Sequence, residues 1–145
     1  MGAAGKPRTE GGGRVTHADL RVGATVEASL EVTPDLVAAH LGSGGLRVFA
    51  TPAMALMVER TCRTLIEPHL PAGQSTVGVE IRVRHLAPTP LGKTVRIRAE
   101  ITGLEGRAVD FRAELWDEAE KVGEADHRRM IIDVERFLKR VAAKM

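Results

Sequence analysis

Cysteine and aromatic residues are both scarce in this sequence. Cys62 is the single cysteine among 145 residues, so no disulfide can form within the chain, which favours a reducing compartment. There are three Phe, one Trp and no Tyr, and the formal net charge is only +2. Proteins that bind single-stranded nucleic acids stack bases on exposed aromatic side chains. The composition therefore argues against a nucleic-acid partner.

Several other signals are missing. No apolar run approaches the roughly 20 residues that span a bilayer, and the N-terminus has no apolar signal core. We therefore expect a soluble cytoplasmic protein with no membrane partner. No cysteine pair or His-x-x-x-His motif has the spacing of a metal site, no Gly-Lys-Ser/Thr follows Gly42 to Gly45, and no Gly-x-Ser-x-Gly elbow occurs. We expect neither a metal nor a cofactor.

The sequence divides into a tail and one domain. Met1 to His17 is rich in glycine and in polar and charged residues, a composition typical of disorder. We predict a disordered tail over residues 1–18 and a single domain over residues 19–145, a size that is usual for one domain.

Most of the chain shows the two-residue alternation of half-buried strands. Charged residues occupy one face of each predicted strand, which indicates an antiparallel sheet with one wet and one dry side. The strands predicted in this way are Val26 to Val32, Val77 to Val83, Val95 to Ile101, Val109 to Leu115 and Val122 to Val134.

Helices are predicted at three places. Thr33-Pro34 begins a short helical turn through about His40, and Thr51-Pro52 repeats this start signal with Thr51 as the N-cap. The helix over Ala53 to Leu65 opens with six consecutive apolar residues, which predicts burial on most sides and a place on the dry side of the sheet. A C-terminal helix follows. The pattern predicts an α+β hot-dog fold, a curved antiparallel sheet wrapped around one long central helix.

Two ionisable residues stand out as candidates for chemistry. Glu59 interrupts the apolar helix. It is either a surface residue paired with a neighbouring arginine or a carboxylate poised as a base in a cleft. His85 closes a strand, where it is either a surface residue or a proton carrier near neutral pH. His127 lies within the last strand, where a structural role is as plausible as any other. Cys62 is interpreted as packing rather than as a nucleophile.

Two smaller residues complete the candidate site. Thr51 is a natural helix cap, and its position also places a hydroxyl at the positive end of the helix dipole, which favours developing negative charge. Gly78 lies inside a strand, where glycine indicates either a bulge or room for a group that approaches the backbone closely.

Residues 20 to 137 resemble the fluoroacetyl-CoA thioesterase-like group of hot-dog proteins. The motif His-Leu-Ala-x-Thr-Pro-x-Gly begins at His85, and the helix carboxylate Glu59 is placed 26 residues earlier. The stretches that carry the resemblance are VFATPAMALMVERTC (Val48 to Cys62), STVGVEIRVRHLAPTPLGKTV (Ser75 to Val95), LEGRAVDF (Leu104 to Phe111) and GEADHRRMIIDVERF (Gly123 to Phe137).

The resemblance implies an acyl-CoA thioesterase. It implies Thr51, Glu59 and His85 as the catalytic set, with Gly78 beside the thioester. We also predict that Arg129 takes part in substrate binding. The stretch from His40 to Arg47 departs from the family's Phe-bearing lid. The resemblance therefore implies hydrolysis of a small or medium acyl-CoA without fixing the acyl group.

The spacing of the candidate residues bears on their assembly. Thr51 and Glu59 are eight residues apart on one helix, which is roughly 12 Å, so they cannot share a hydrogen bond within one chain. Either His85 spans the distance or the site combines residues from two chains. We expect the second, in a homodimer or higher homo-oligomer, since hot-dog proteins resemble one another in pairing their sheets side by side.

Further hypotheses stay open. One is a basic rim that binds the phosphates of coenzyme A, although strand arginines are also typical of a solvated face. The candidate members of this rim are Arg82, Arg84, Lys93, Arg96, Arg98, Arg128 and Arg129.

Three alternative functions also stay open. They are a non-catalytic acyl-CoA-binding module or sensor, an enoyl-CoA hydratase, whose Asp/His motif is not found, and a dimeric scaffold without a ligand.

Overall fold

The computed structural model describes residues 20–145. The predicted tail, residues 1–18, lies outside the described residues. In chain order the elements are β1 (Thr25–Glu31), α1 (Ala38–Leu41), α2 (Thr51–Ile66), β2 (Gln74–His85), β3 (Thr94–Glu105), β4 (Ala108–Trp116), β5 (Lys121–Asp133) and α3 (Val134–Ala142). Short 3₁₀ turns precede α1, at Pro34–Leu36, and follow α2, at Glu67–His69. All the predicted strands and helices are present, with their ends displaced by a few residues.

The five strands form one antiparallel sheet in the order β1-β3-β4-β5-β2. One face is apolar: Val95, Ile97, Ala99 and Ile101 of β3 are fully buried, while the residues between them on the strand are exposed or partly exposed. The prediction of one wet and one dry side is confirmed. In this order β2 is an edge strand, so one row of its backbone groups has no partner strand in the part of the chain that the structure describes.

Helix α2 lies on the apolar face of the sheet but buries only one side. Its buried residues follow the spacing of an amphipathic stripe: Ala53, Met54, Met57, Val58, Thr61, Cys62, Leu65 and Ile66. The prediction that the apolar run is buried on most sides is wrong, because Leu56 is 40% exposed and Ala55 is partly exposed. Among residues 20–145, nothing therefore covers the outer side of α2.

A bulge in β2 changes the faces that the alternation predicts. The pairing register of β2 with β5 shifts between Gly78 and Glu80, and a bulge of one residue exchanges the two faces of a strand beyond it. Val79 is consequently 52% exposed, although simple alternation places it on the dry side. Gly78 and His85 are seven residues apart, so an unbroken strand would point them to opposite faces. With the bulge both face α2.

The other end of β2 is fixed by a close contact between β5 and α2. Gly123 pairs with His85 in the sheet, and a Cβ on Gly123 would stand 2.6 Å from Sδ of Met54. Met54 is fully buried. The missing side chain at Gly123 therefore lets the first turn of α2 approach the strand end that carries His85.

The C-terminal helix packs less than the sequence suggests. Leu138 and Val141 of α3 are 56% and 44% exposed, and no residue of this helix is buried. Within residues 20–145, no helix is long and apolar enough to cross a membrane.

Candidate active site

A threonine and a histidine meet at the start of α2. The Thr51 hydroxyl oxygen lies 2.8 Å from Nδ1 of His85. Thr51 is placed by the first turn of α2 and His85 by the last residue of β2. Since the ring nitrogen can accept the hydroxyl proton, the pair has the geometry of a hydroxyl activated by a base.

Thr51 is not the helix cap that the sequence predicts. The cap position is Ala50, which makes no side-chain capping bond, and Thr51 is the first helical residue. The prediction is wrong by one position. It assumed that Pro52 is the first helical residue, but Pro52 is the second, so the cap falls on Ala50 instead of Thr51. The hydroxyl is therefore not engaged in capping, which leaves it for His85.

The imidazole of His85 is held at the wall of a small cleft. Its ring packs edge-on against Phe49, with the centroids 6.4 Å apart, and its Nε2 is buried with no hydrogen-bond partner among the described residues. Burial lowers the pKa of His85, against a smaller opposing effect of the Ala87 backbone, so the ring is neutral at neutral pH. The cleft has a volume of about 360 Å³, and its lining includes Val48, Phe49, Thr51, His85, Leu86 and Pro88.

Glu59 belongs to a second group of side chains, two turns further along α2. The Glu59 Oε2 atom lies 2.7 Å from the point where a Cβ on Gly78 would stand. Arg129 Nη1 and His127 Cε1 each lie 3.3 Å from the same point. Glycine at position 78 therefore leaves space that a carboxylate, a guanidinium and an imidazole share. This places both predicted substrate-binding residues, Gly78 and Arg129, beside Glu59.

Arg129 is a buried cation on the inner face of the sheet. It is 6% exposed, donates from Nε to Thr76 Oγ1 at 2.8 Å and from Nη2 to the Thr76 carbonyl at 3.2 Å. Burial lowers the pKa of Arg129, and the nearby Glu59 carboxylate opposes that effect. The hypothesis that Arg129 belongs to an exposed basic rim is therefore wrong. The two-residue alternation along β5 places Arg129 on the inner face of the sheet, opposite α2.

The other strand arginines fit a solvated face better than a phosphate-binding rim. Arg84 is paired with Glu124, Arg98 with Glu100 and Arg128 with Asp110. Arg96 stacks over the ring of Trp116 at 4.7 Å. Three of the six other candidates for the rim, Arg84, Arg98 and Arg128, are therefore balanced by carboxylates on the same sheet.

Within residues 20–145, the two groups of side chains do not touch one another. Glu59 makes no hydrogen bond or ion pair with Thr51 or His85 in the described part of the chain. Eight residues of helix separate Thr51 from Glu59, which is roughly 12 Å. The structure thus brings together Thr51 with His85, and Glu59 with Gly78 and Arg129, but leaves the predicted catalytic set divided.

Comparison with known proteins identifies the family. The family model of the fluoroacetyl-CoA-specific thioesterase FlK matches residues 32–135. A fluoroacetyl-CoA thioesterase from Streptantibioticus cattleyicolor is 36% identical over 97 residues, which are 67% of this chain and 70% of that protein. The chain belongs to the fluoroacetyl-CoA-specific thioesterase family. The predicted resemblance and the predicted class of activity, thioester hydrolysis, are confirmed.

Solved structures confirm the hot-dog fold. A structure of the fluoroacetyl-CoA thioesterase FlK is 32% identical and has a TM-score of 0.81, covering 87% of this chain and 98% of that chain. A hot-dog-like protein from Thermanaerovibrio acidaminovorans is 22% identical with a TM-score of 0.81, covering 86% of this chain and 92% of that chain. Solved FlK variants contain fluoroacetate, fluoroacetate with CoA, or acetyl-CoA.

One residue of this site was not singled out by the sequence. His127 is 4% exposed and stacks on Phe111, with the centroids 6.1 Å apart. His127 alternates with Ala125 and Arg129 along β5, which places all three on the inner face of the sheet. This alternation is the sequence signal that could have identified His127. Polar and charged residues in alternate positions on the dry side of a sheet are rare enough to indicate a functional cluster.

Cysteine and metal chemistry find no support at this site. Cys62 is fully buried on α2, and burial raises the pKa of its thiol well above the ordinary range, so the reactive thiolate is suppressed. Within residues 20–145, no group of three or more His, Cys, Asp or Glu side chains is arranged to hold a metal ion.

Proposed function

We propose that this protein hydrolyses a small or medium acyl-CoA to the free acid and coenzyme A, at sites that each combine two subunits. The observation that carries the proposal is the hydrogen bond of 2.8 Å between Thr51 and His85 in an open cleft. In this proposal Thr51 and His85 come from one chain, and Glu59, with Gly78 and Arg129, comes from its partner.

The edge position of β2 supports a shared site. A twelve-residue edge strand with unpaired backbone groups is a natural place for a second copy to add its own strand. Two copies of one strand related by a two-fold axis pair antiparallel. If the axis passes between Ile81 and Arg82, Gly78 lies opposite the partner's His85. Such pairing brings the Glu59 group of one chain to the Thr51 and His85 of the other.

The chemistry follows from the two groups. His85 accepts a proton when Thr51, or a water bound beside it, attacks the thioester carbonyl carbon. The C–S bond breaks, and the proton on His85 passes to the sulfur of the departing coenzyme A. Where Thr51 is the nucleophile, the acyl group is left as an ester on its oxygen. Glu59 then takes a proton from the water that attacks this ester, the ester C–O bond breaks, the proton returns to the Thr51 oxygen and the free acid leaves. Where water attacks the thioester directly, it supplies the oxygen of the free acid in the first step and Glu59 orients it. Gly78 gives the thioester room beside the strand, and Arg129 provides a positive charge for its oxygen.

The cleft argues for a short acyl group. A volume of about 360 Å³ is at the small end of ligand pockets, which range over roughly 300–1,000 Å³. The relatives of this chain in the family are named for a two-carbon acyl group, and a solved FlK variant contains acetyl-CoA. We therefore propose acetyl-CoA and similarly short acyl-CoA esters as the substrate class. We also propose one hot-dog domain over residues 19–145 and a cytoplasmic location, for which the single cysteine is the argument.

Subunit mixing tests the shared site. Thr51→Ala and Glu59→Ala chains are each expected to be inactive alone. Each mixed dimer regains one intact site, so an equal mixture with random pairing recovers about a quarter of wild-type activity. The His85→Ala and Glu59→Ala pair is expected to recover in the same way.

The matched control is the pair Thr51→Ala with His85→Ala. Both residues belong to the same half of the site, so no mixed dimer of these two chains contains an intact site. Native mass spectrometry verifies that mixed dimers form. The two-subunit site is wrong if Thr51→Ala and Glu59→Ala dimers form but stay inactive. The proposed activity is wrong if wild-type protein releases no thiol from any of acetyl-, fluoroacetyl-, isobutyryl-, hexanoyl-, benzoyl- and palmitoyl-CoA.

A further inference from the structure

Two hydrogen bonds fix the protonation of His127. Its Nδ1 lies 2.8 Å from the backbone carbonyl oxygen of Glu80. A carbonyl oxygen only accepts, so Nδ1 must carry the proton and donate it. In a neutral imidazole the other nitrogen, Nε2, is then an acceptor. Nε2 lies 3.3 Å from Nη1 of Arg129, and a guanidinium only donates. Both bonds are satisfied together only when the ring is neutral.

His127 also has little freedom to adopt another arrangement. It is 4% exposed, and its ring stacks at an interplanar angle of 27° on the buried Phe111 of β4. The Glu80 carbonyl belongs to the bulged part of β2. Rotating the ring to exchange its two nitrogens would therefore lose the bond to β2 and the bond to Arg129 at once.

Arg129 in turn stands where the proposed chemistry takes place. Its Nη1 and the Oε2 of Glu59 flank the same point beside Gly78, at 3.3 Å and 2.7 Å. Thr76 holds Nε and Nη2 of the guanidinium. The remaining nitrogen, Nη1, is held by His127 alone among the described residues. The direction of the nitrogen that lies beside Gly78, across from the Glu59 carboxylate, therefore depends on His127.

We propose that His127 is a positioning residue, which keeps Arg129 Nη1 beside Glu59 while its imidazole is neutral and releases it when the ring is protonated. This inference rests on the proposed function, since it assigns the Glu59 and Arg129 group to thioester hydrolysis. A second proton on the ring converts Nε2 into a donor that faces another donor. The contact with Arg129 is then lost, and two positive charges face each other.

The charges around His127 agree with this behaviour. From β5 it faces Arg129, from α2 the Glu59 carboxylate, from β2 the Glu80 carbonyl and from β4 the ring of Phe111. Burial and Arg129 lower the pKa of His127, and the Glu80 carbonyl and Glu59 oppose them. The ring is therefore neutral at neutral pH, and it takes up its second proton only in acid.

Three variants separate positioning from simple packing. His127→Gln keeps an oxygen near the position of Nε2 that can accept from Arg129 but cannot titrate. His127→Leu keeps a buried side chain of comparable size without any polar atom. His40→Gln removes an exposed histidine on α1 and serves as the matched control. Each is measured for kcat/KM with acetyl-CoA from acid to alkaline pH, and for thermal unfolding.

The expected results differ between the variants. Wild-type log kcat/KM falls more steeply on the acid side than that of His127→Gln, because in the wild type the protonation of His127 adds to that of His85. His127→Gln keeps most of the activity at neutral pH and loses this added steepness, while His40→Gln keeps the wild-type slope. His127→Leu loses roughly 10- to 100-fold in kcat/KM at all pH values, as expected for a displaced group. The inference is overturned if the Gln variant keeps the steep slope or if both variants lose activity only in proportion to their unfolding temperature.

A measurement without turnover separates this inference from the proposed function. The ¹⁵N chemical shifts of the imidazole nitrogens report which nitrogen carries the proton in the free protein. We expect the Nδ1–H form for His127 at neutral pH, and an Nε2–H form would overturn the inference even in an active enzyme. If wild-type protein hydrolyses no acyl-CoA while His127 shows the expected form, the proposed function fails and the geometry stands.

Discussion

The Thr51 hydroxyl lies 2.8 Å from Nδ1 of His85, although 34 positions separate the two residues in the sequence. The hydroxyl makes no capping bond, because the helix cap is Ala50. Its position depends on two features of the backbone: the bulge of β2 that turns His85 toward α2, and the glycine at position 123 that admits Met54. The contact is therefore a product of tertiary structure rather than of local sequence.

Replacing the Thr51 hydroxyl is expected to affect activity without affecting stability. Thr51→Ala removes the group that bonds His85, and we expect kcat to fall by roughly 10²- to 10⁴-fold. Loss of a true cap would destabilise the protein by about 1 kcal/mol, but the hydroxyl caps nothing, so the unfolding temperature should stay within a degree or two of wild type. Steady-state kinetics and thermal unfolding of the same preparations measure both effects.

The matched variant is Thr51→Ser, which keeps the oxygen and should retain most of the activity. Rapid quenching and mass spectrometry of its peptides show whether an acyl group is carried on residue 51. A large drop in stability for Thr51→Ala would contradict the assignment of the hydroxyl to His85 and would return it to a capping role.

Adding a methyl group at Gly78 is expected to displace Glu59. The new Cβ would stand 2.7 Å from Oε2 of Glu59, and real Cβ atoms do not approach so closely. The carboxylate is the end of a flexible side chain, so it moves and the fold survives. We expect Gly78→Ala to lower kcat/KM by roughly 10- to 100-fold with little change in the circular dichroism spectrum or unfolding temperature.

Gly103→Ala provides the same chemical change on β3. There the new Cβ would meet the Asp110 carboxylate at 3.2 Å, on the face of the sheet away from α2. We expect normal activity from this variant. Equal losses of activity in both glycine variants would show that a strand glycine, rather than the space beside Glu59, is responsible.

The fold was more predictable from the sequence than the site. The signals that predict strands and helices are local in the sequence. The alternation from Val95 to Ile101 predicts β3, and Thr51-Pro52 predicts the start of α2, each within a few residues of its true bounds. A bulge was one of the two interpretations that Gly78 offered, and the structure confirms it, but its exact place at Val79 and the exchange of faces beyond it depend on pairing with β5. His127 was treated as an ordinary strand residue because its partners, Glu80 and Arg129, come from a neighbouring strand and from the same face. The separation of Thr51 from Glu59 was correctly anticipated, because both lie on α2 and the distance follows from helix geometry alone.

The stability of the protein is expected to rise with pH through the range where histidine titrates. Burial lowers the pKa of both His85 and His127 below the ordinary value of 6.5. The unfolded chain therefore binds more protons than the folded one between those lowered values and 6.5, and the free energy of unfolding rises with pH across this window. We expect the unfolding temperature to increase from about pH 5 to about pH 7 and then to level off.

The double variant His85→Gln with His127→Gln tests the assignment of this window. It should remove most of the rise in unfolding temperature between about pH 5 and about pH 7, which is the range in which histidine titrates. The loss of stability at lower pH should remain, because hydrogen bonds and ion pairs lower the pKa values of Asp110, Asp133 and Glu124. An unchanged rise in the double variant would assign the window to other groups.

Cys62 is expected to be silent in assays that detect thiols. It is fully buried, and burial raises the pKa of its thiol, so neither access nor thiolate formation favours reaction. The native protein should therefore give no signal with Ellman's reagent, while the unfolded protein in guanidinium chloride should give one thiol per chain. Rapid labelling of native protein with loss of activity would contradict the buried position.

The contact between Gly123 and Met54 predicts how the packing of α2 against β5 affects stability and activity. A Cβ on Gly123 would stand 2.6 Å from Sδ and 2.9 Å from Cε of Met54, which is fully buried. Overpacking of this kind destabilises proteins by about 1–3 kcal/mol, and we expect that effect from Gly123→Ala in chemical unfolding. Because Met54 lies one turn after Thr51, kcat should fall as well.

A double-mutant cycle separates this contact from a general cost of replacing glycine. Met54→Ala alone creates a cavity and should destabilise the protein by roughly 2–5 kcal/mol. In that background the collision no longer exists, so the further substitution Gly123→Ala should be nearly neutral or stabilising. The difference between the two backgrounds is the coupling free energy, which for residues in contact is about 0.5–3 kcal/mol. A Gly123→Ala effect of the same size in both backgrounds would mean that Met54 does not rest on Gly123, and that another contact fixes the first turn of α2 beside His85.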